Sequence, residues 1–142
     1  YPPKGYRSFG PTRGFMYGGN DYVDHANDEI LKIAMIETKE ALNELDKIMK
    51  TPDLDGVYIG PSDLSTSMGY ASPSAPQVEE AIQRVLQACL DHDVPCAITT
   101  GPSSVQERIE QGFSFVTVGA DGGLNANAAN ALQLGRETAG RD

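Results

Sequence analysis

The chain has 142 residues, with 11 Lys and Arg against 20 Asp and Glu and a formal charge of −9. That length fits one domain, and its acidity, with no run of basic residues to offset it, excludes nucleic acid and membrane surfaces as partners. The longest apolar stretches fall far short of the roughly 20 residues needed to span a bilayer.

Residues 1–20 are rich in Gly, Pro and aromatic residues and follow neither a helical nor a strand period, which predicts an irregular loop. They hold no apolar core of signal-peptide type, and Cys89 and Cys96 lack metal-type spacing and suit a reducing compartment, so the expected location is cytoplasmic. Tyr22, Val23, Ala26 and Ile30 form a short amphipathic stretch, and Ile33 to Glu37 reads as a buried strand. Ala41, Leu42, Leu45, Ile48 and Met49 then recur on one helix face until Thr51-Pro52 stops the pattern. Val57-Tyr58-Ile59 is a second strand, ending in the turn Gly60-Pro61. A longer helix follows, with Val78, Ala81, Ile82, Val85, Leu86, Cys89 and Leu90 on its apolar face. Ala97-Ile98-Thr99 is a third strand. Ser104-x-x-Glu107 reads as a capping box opening a helix that closes at Gly112, Phe113 to Val118 is the fourth strand, and a last helix runs from about Leu124 to Glu137.

Four strand-helix units with short connections predict an α/β fold with parallel pairing and right-handed crossovers. Both a doubly wound sheet and half of a (β/α)8 barrel would use this length. No linker or internal repeat divides the chain, so residues 1–142 read as one unit, with a loop over 1–20 and four βα units over 21–142.

Glu37 and Asp63 both fall just past a predicted strand, where parallel sheets place their ligands. They are 26 residues apart, one strand-helix-strand turn, so on neighbouring strands their carboxylates converge. Two hard oxygen ligands without His or Cys suit Mg²⁺ or Mn²⁺, with water and substrate completing the shell. The bland alternative is that each carboxylate caps the following helix. The backbone N–H groups of Ser62 and Asp63, in the turn after the second strand, could form a small anion hole for a carboxylate; an ordinary Gly-Pro turn is the competing reading. His25 and His92 read as solvated bystanders, since neither follows a strand end. No Lys follows a strand end either, which disfavours a Schiff base.

Tyr1-Pro2-Pro3-Lys4-Gly5-Tyr6-Arg7-Ser8-Phe9-Gly10, Met35-Ile36-Glu37-Thr38-Lys39-Glu40-Ala41, Asp55 to Ser65 with Met68-Gly69, and Phe115 to Asp121 together resemble the HpcH/HpaI aldolase family. These are metal-dependent 2-keto-3-deoxy acid and 4-hydroxy-2-oxo acid aldolases. The resemblance implies a (β/α)8 TIM barrel of which this chain is the C-terminal half. It implies Glu37 and Asp63 as the two protein ligands of a divalent cation, Mg²⁺ or Mn²⁺ with Co²⁺ as a further option. Pyruvate or its enolate would chelate that metal, with its carboxylate on the amides of Ser62 and Asp63. Many members carry Gln at the position of Met35, where it contacts substrate.

The implied reaction is class II aldolase cleavage of a 4-hydroxy-2-oxo acid to pyruvate and an aldehyde. The family's catalytic His-Asp pair and Arg come from the first barrel half, and no residue here matches them. The expected partners are a small 2-oxo acid and an aldehyde, with a homo-oligomer or a complementing N-terminal half, since family members are typically trimers or hexamers. A citryl- or malyl-thioester lyase is the enzymatic alternative, against which the Tyr-Pro-Pro-Lys-Gly start speaks. A non-catalytic half-barrel fragment is the other, supported by the missing His and Arg.

Overall fold

A computed structural model describes residues 1–117, 119 and 121–138. Val118, placed above in the fourth strand, and Ala120 of the resembling motif lie outside the described residues. The chain divides into two compact units, Tyr1–Lys32 and Ile33–Asp142.

The first unit carries two helices, α1 (Thr12–Gly18) and α2 (Tyr22–Glu29). The sequence predicts only loop where α1 stands. Its glycines explain the difference: a Cβ on Gly14 or Gly18 would lie 2.5 or 2.6 Å from the Tyr22 ring, so these residues admit the aromatic side chain. A helix held by close approach of a ring has no apolar period for a pattern search to find. Tyr22 also meets the Tyr1 ring edge to face, with centroids 6.4 Å apart.

The second unit begins with β1 (Ile33–Ile36) and continues through α3 (Lys39–Asn43), α4 (Leu45–Met49), β2 (Gly56–Ile59), α5 (Pro61–Ser67), α6 (Pro76–Asp91), β3 (Cys96–Thr99), α7 (Val105–Gln111), β4 (Phe115–Thr117) and α8 (Asp121–Thr138). The four strands form one parallel sheet in the order β1-β2-β3-β4. A doubly wound sheet reverses its strand order and carries helices on both faces. This order never reverses, and among the described residues the core helices of this unit pack on one face of the sheet, so the fold is of the (β/α)8 barrel type in four βα units.

Strand alternation separates the two faces. Ile36, Val57, Ile59, Cys96 and Ile98 are buried and pack in one cluster with Leu42, Leu45, Met49, Val78, Ile82, Val85 and Leu86 of the helices. On the opposite face Met35, Tyr58, Ala97 and Phe115 lie side by side in register. Ile33, Met35 and Phe115 are 48%, 53% and 58% exposed there. The expectation of a buried first strand is thus corrected: only Ile36 of β1 is buried, because its neighbours point to the uncovered face.

Four further expectations change. The helix over Ala41 to Met49 is two short helices, α3 and α4, meeting at Glu44. The turn after β2 is instead a helix, α5, with Pro61 at its first position, where proline's missing N–H costs nothing. Ser104 stands at the start of α7 but makes no capping bond, since its hydroxyl pairs with that of Thr100. On α6, Leu90 faces outward, 54% exposed. The returns from helix to β2, β3 and β4 each pass through one residue of positive φ: Asp53 (57°), Asp93 (55°) and Gly112 (106°), each three positions ahead of the strand it leads into. Cys89 and Cys96 are free thiols, both buried.

Candidate functional site

Glu37 follows β1 directly, and Asp63 sits in the first turn of α5, which follows β2 after the single residue Gly60. Because β1 and β2 pair with Ile36 beside Ile59, the two acidic residues stand at the carboxyl ends of neighbouring parallel strands. The capping alternative fails for Glu37: the Thr38 hydroxyl accepts the Ala41 N–H at 3.1 Å and caps α3 itself. Asp63 makes no capping bond in α5 either. Among the described residues, neither carboxylate has an ion-pair or hydrogen-bond partner.

Gly60, which follows β2 ahead of α5, stands beside Glu37. A Cβ there would meet Glu37 Oε2 at 3.4 Å and Met35 Cε at 3.7 Å, so the missing side chain leaves open space beside the Glu37 carboxylate. In α5 the Leu64 N–H reaches Gly60 O at 2.9 Å, and Pro61 has no N–H. The orphan donors of the first turn are therefore those of Ser62 and Asp63, the pair singled out from the sequence. Met35 lies one layer deeper on the same open face as Glu37.

The donor set fits a hard divalent cation in kind, since it offers two carboxylates and no His or Cys. Among the described residues no three His, Cys, Asp or Glu side chains gather to hold a metal. A cation here would thus keep open positions for substrate. Both histidines pair with other carboxylates. His25 lies in α2 beside Asp21, at 3.3 Å, and His92 ends α6 beside Asp46, at 3.5 Å, near the opposite end of the sheet from Glu37.

One feature of the open face is not legible in the sequence. Tyr58 Oη hydrogen bonds Thr99 Oγ1 at 2.9 Å and donates to Thr117 Oγ1 at 3.5 Å, joining β2, β3 and β4 by their hydroxyls. These residues are 41 and 59 positions apart. Only the strand register could have grouped them.

The family model described as HpcH/HpaI aldolase/citrate lyase matches residues 1–128. The chain belongs to this HpcH/HpaI family. It is 39% identical over 137 residues to a 4-hydroxy-2-oxo-heptane-1,7-dioate aldolase of Escherichia coli, covering 93% of this chain and 52% of that protein. Among solved structures, an HpcH/HpaI aldolase/citrate lyase family protein from Burkholderia cenocepacia J2315 superposes with a TM-score of 0.82 at 31% identity, over 94% of this chain and 54% of the other. An HpcH/HpaI aldolase from Desulfitobacterium hafniense DCB-2 gives 0.78 at 26% identity, over 96% and 56%. The chain thus spans about half the length of its HpcH/HpaI relatives and aligns with their C-terminal part. As expected from its motifs, its four βα units are half of a barrel-type fold.

Proposed function

We propose that this chain is the metal-holding half of a class II aldolase that cleaves a 4-hydroxy-2-oxo acid to pyruvate and an aldehyde in the cytoplasm. One observation carries the reading: Glu37 and Asp63, unpartnered, stand at neighbouring strand ends, with the side-chain-free Gly60 beside Glu37 and two orphan N–H groups in the first turn of α5. Glu37 and Asp63 would hold Mg²⁺ or Mn²⁺. Bound there, the cation supplies Lewis-acid stabilisation of charge on the keto oxygen. The N–H groups of Ser62 and Asp63 bind the 2-oxo acid's carboxylate and fix its orientation, which converts a bimolecular encounter into a positioned one. Met35 gives this position an apolar wall, so it contributes shape and no hydrogen bond. Removal of the C4 hydroxyl proton falls to a base outside this chain, in an N-terminal half or a partner copy, because no residue here matches the family's catalytic His-Asp pair and His92 pairs with Asp46.

The test is Mn²⁺ binding by electron paramagnetic resonance, with and without pyruvate, in the unaltered chain and in Glu37→Gln and Asp63→Asn. Each substitution removes one of two charged ligands and should weaken Mn²⁺ binding at least about tenfold, with urea stability unchanged or slightly raised. Equal Mn²⁺ affinity in all three proteins would overturn the assignment.

A further inference from the structure

The proposed mechanism leaves the chain's two cysteines unused, and the fold brings them together. Cys89 lies in the last turn of α6, and Cys96 opens β3. Both are buried in the core cluster that also holds Val57, Val85, Leu86 and Phe113. The Cys96 thiol donates a hydrogen bond to the Cys89 sulfur. The backbone on each side of this contact is fixed: the Cys89 carbonyl accepts the Val94 N–H at 2.9 Å, the Cys96 carbonyl accepts the Ser114 N–H at 2.8 Å, and Cys96 stands in register with Val57 of β2. Packing sets no requirement for sulfur at either position, since a small apolar side chain fills such space.

Contact decides what these thiols can do. A sulfur oxidised at one position has a second thiol already beside it, so a bond between them forms without a collision between molecules. The pair is also asymmetric. The bond to Cys89, together with burial, pushes the Cys96 thiol up, and the same bond lowers that of Cys89. Position agrees. Cys89 is near the end of α6 and its neighbour Leu90 is exposed, so fraying of that turn uncovers Cys89, while Cys96 stays covered by its pairing with β2 and its bond from Ser114. Cys89 is therefore the sulfur that an oxidant reaches first.

We propose that Cys89 and Cys96 form a redox-modification site, at which a hydroperoxide produces an intramolecular disulfide joining α6 to β3. The Cys89 thiolate attacks the terminal oxygen of the hydroperoxide. The O–O bond breaks, the departing alkoxide takes the proton that Cys89 lost and leaves as an alcohol (water, for hydrogen peroxide), and Cys89 becomes a sulfenic acid. The Cys96 sulfur then attacks the Cys89 sulfur, the S–O bond breaks, and the hydroxyl leaves as water with the Cys96 proton. Two electrons pass from the sulfurs to the peroxide, so two thiols and one hydroperoxide give one disulfide, one alcohol and one water. The cross-link closes the return through Asp93 and Pro95 at the amino end of β3, the end away from Glu37 and Asp63. In a reducing compartment such a bond is transient, because free thiols reverse it.

The test treats the folded 142-residue chain with hydrogen peroxide at low protein concentration, then unfolds it and alkylates the remaining thiols with N-ethylmaleimide for intact-mass spectrometry. The expected product is a single chain lighter by about 2 Da, with no alkylated thiol, and restored by dithiothreitol. In Cys96→Ser the reaction should stop at a sulfenic acid on Cys89 that dimedone traps. In Cys89→Ser the Cys96 thiol should react at least about tenfold more slowly than Cys89 does in Cys96→Ser. Urea well below the unfolding midpoint should change the rate of disulfide formation in the unaltered chain by less than about twofold, because fraying one turn exposes little surface. This last measurement needs no substitution and decides the matter if either variant fails to fold. Two alkylated thiols after peroxide, sulfinic acid or links between chains in place of the disulfide, or a rate that rises with urea in step with global unfolding, overturns the site.

Discussion

Breaking the Arg108–Glu79 fork should destabilise the fold by an amount its burial sets. The Arg108 side chain is 14% exposed and that of Glu79 39%. Fully exposed pairs contribute about 0.2–1 kcal/mol, and rupture of buried ones costs about 3–5 kcal/mol. A pair between these limits, with two short bonds and the Phe113 ring 5.8 Å from the guanidinium carbon, should show a coupling energy of about 2 kcal/mol, roughly 30-fold in the folding equilibrium. The assay is urea unfolding of the unaltered chain, Glu79→Gln, Arg108→Met and the double variant. The pair also predicts a pH dependence. Hydrogen bonding from Arg108 holds the Glu79 carboxyl below its ordinary 4.5, so its stabilisation is complete above that value and is lost as pH falls through the lower folded-state value. Acidification should therefore cost the unaltered chain more than it costs Arg108→Met. A coupling energy under about 0.3 kcal/mol, or equal acid sensitivity of the two proteins, would refute this account of the interaction.

Gly60→Ala should leave Mn²⁺ binding within about threefold, because its Cβ meets Glu37 at ordinary contact distance, whereas the branched side chain of Gly60→Val should lower binding at least about tenfold; equal binding by both variants would count against Glu37 as a ligand. Ile98→Ala should lower the urea-derived stability by about 2–5 kcal/mol, as Ile98 is fully buried between sheet and helices. Met35→Lys with Phe115→Lys should reduce self-association of the isolated chain in light scattering, since both residues stand on the uncovered sheet face; an unchanged particle mass would mean that face does not drive association. Retro-aldol turnover by the isolated chain should fall about 10²–10⁴-fold short of the complete enzyme for want of a base; robust chelator-sensitive cleavage would place the base among these residues and return His25 and His92 to consideration.

The elements readable from the sequence are those whose burial is periodic. The inward residues of α6, from Val78 to Cys89, recur as its helical period requires, and six of the positions so identified are buried. The short apolar runs around Val57, Ala97 and Phe115 gave the strands, and their one-by-one alternation with helices gave parallel pairing. Elements fixed by other forces were misread. Helix α1 rests on glycines that admit an aromatic ring, α5 on a proline that begins a helix as readily as it ends a strand, and Ser104 on a competing hydroxyl. Glu37 and Asp63 are visible because their 26-residue separation spans one strand-helix-strand turn, which brings them to adjacent strand ends once consecutive strands pair, as β1 and β2 do. Nothing local marks Thr99 as a partner of Tyr58, or Glu79 as the cap on Arg108, because those pairings exist only once strands and helices are in register.

The left-handed residues Asp53, Asp93 and Gly112 stand at the same distance from β2, β3 and β4, yet the letters around them, Pro52-Asp53-Leu54, His92-Asp93-Val94 and Gln111-Gly112-Phe113, share nothing. The chain's repetition is carried by a dihedral angle and is silent in the alphabet. Two of the three joints use aspartate where glycine would be free of the roughly 1 kcal/mol that a left-handed L-residue costs. These joints are seams at which one βα unit could be exchanged for another with the backbone path kept, and a recombined chain cut there should fold more often than one cut inside a strand or helix.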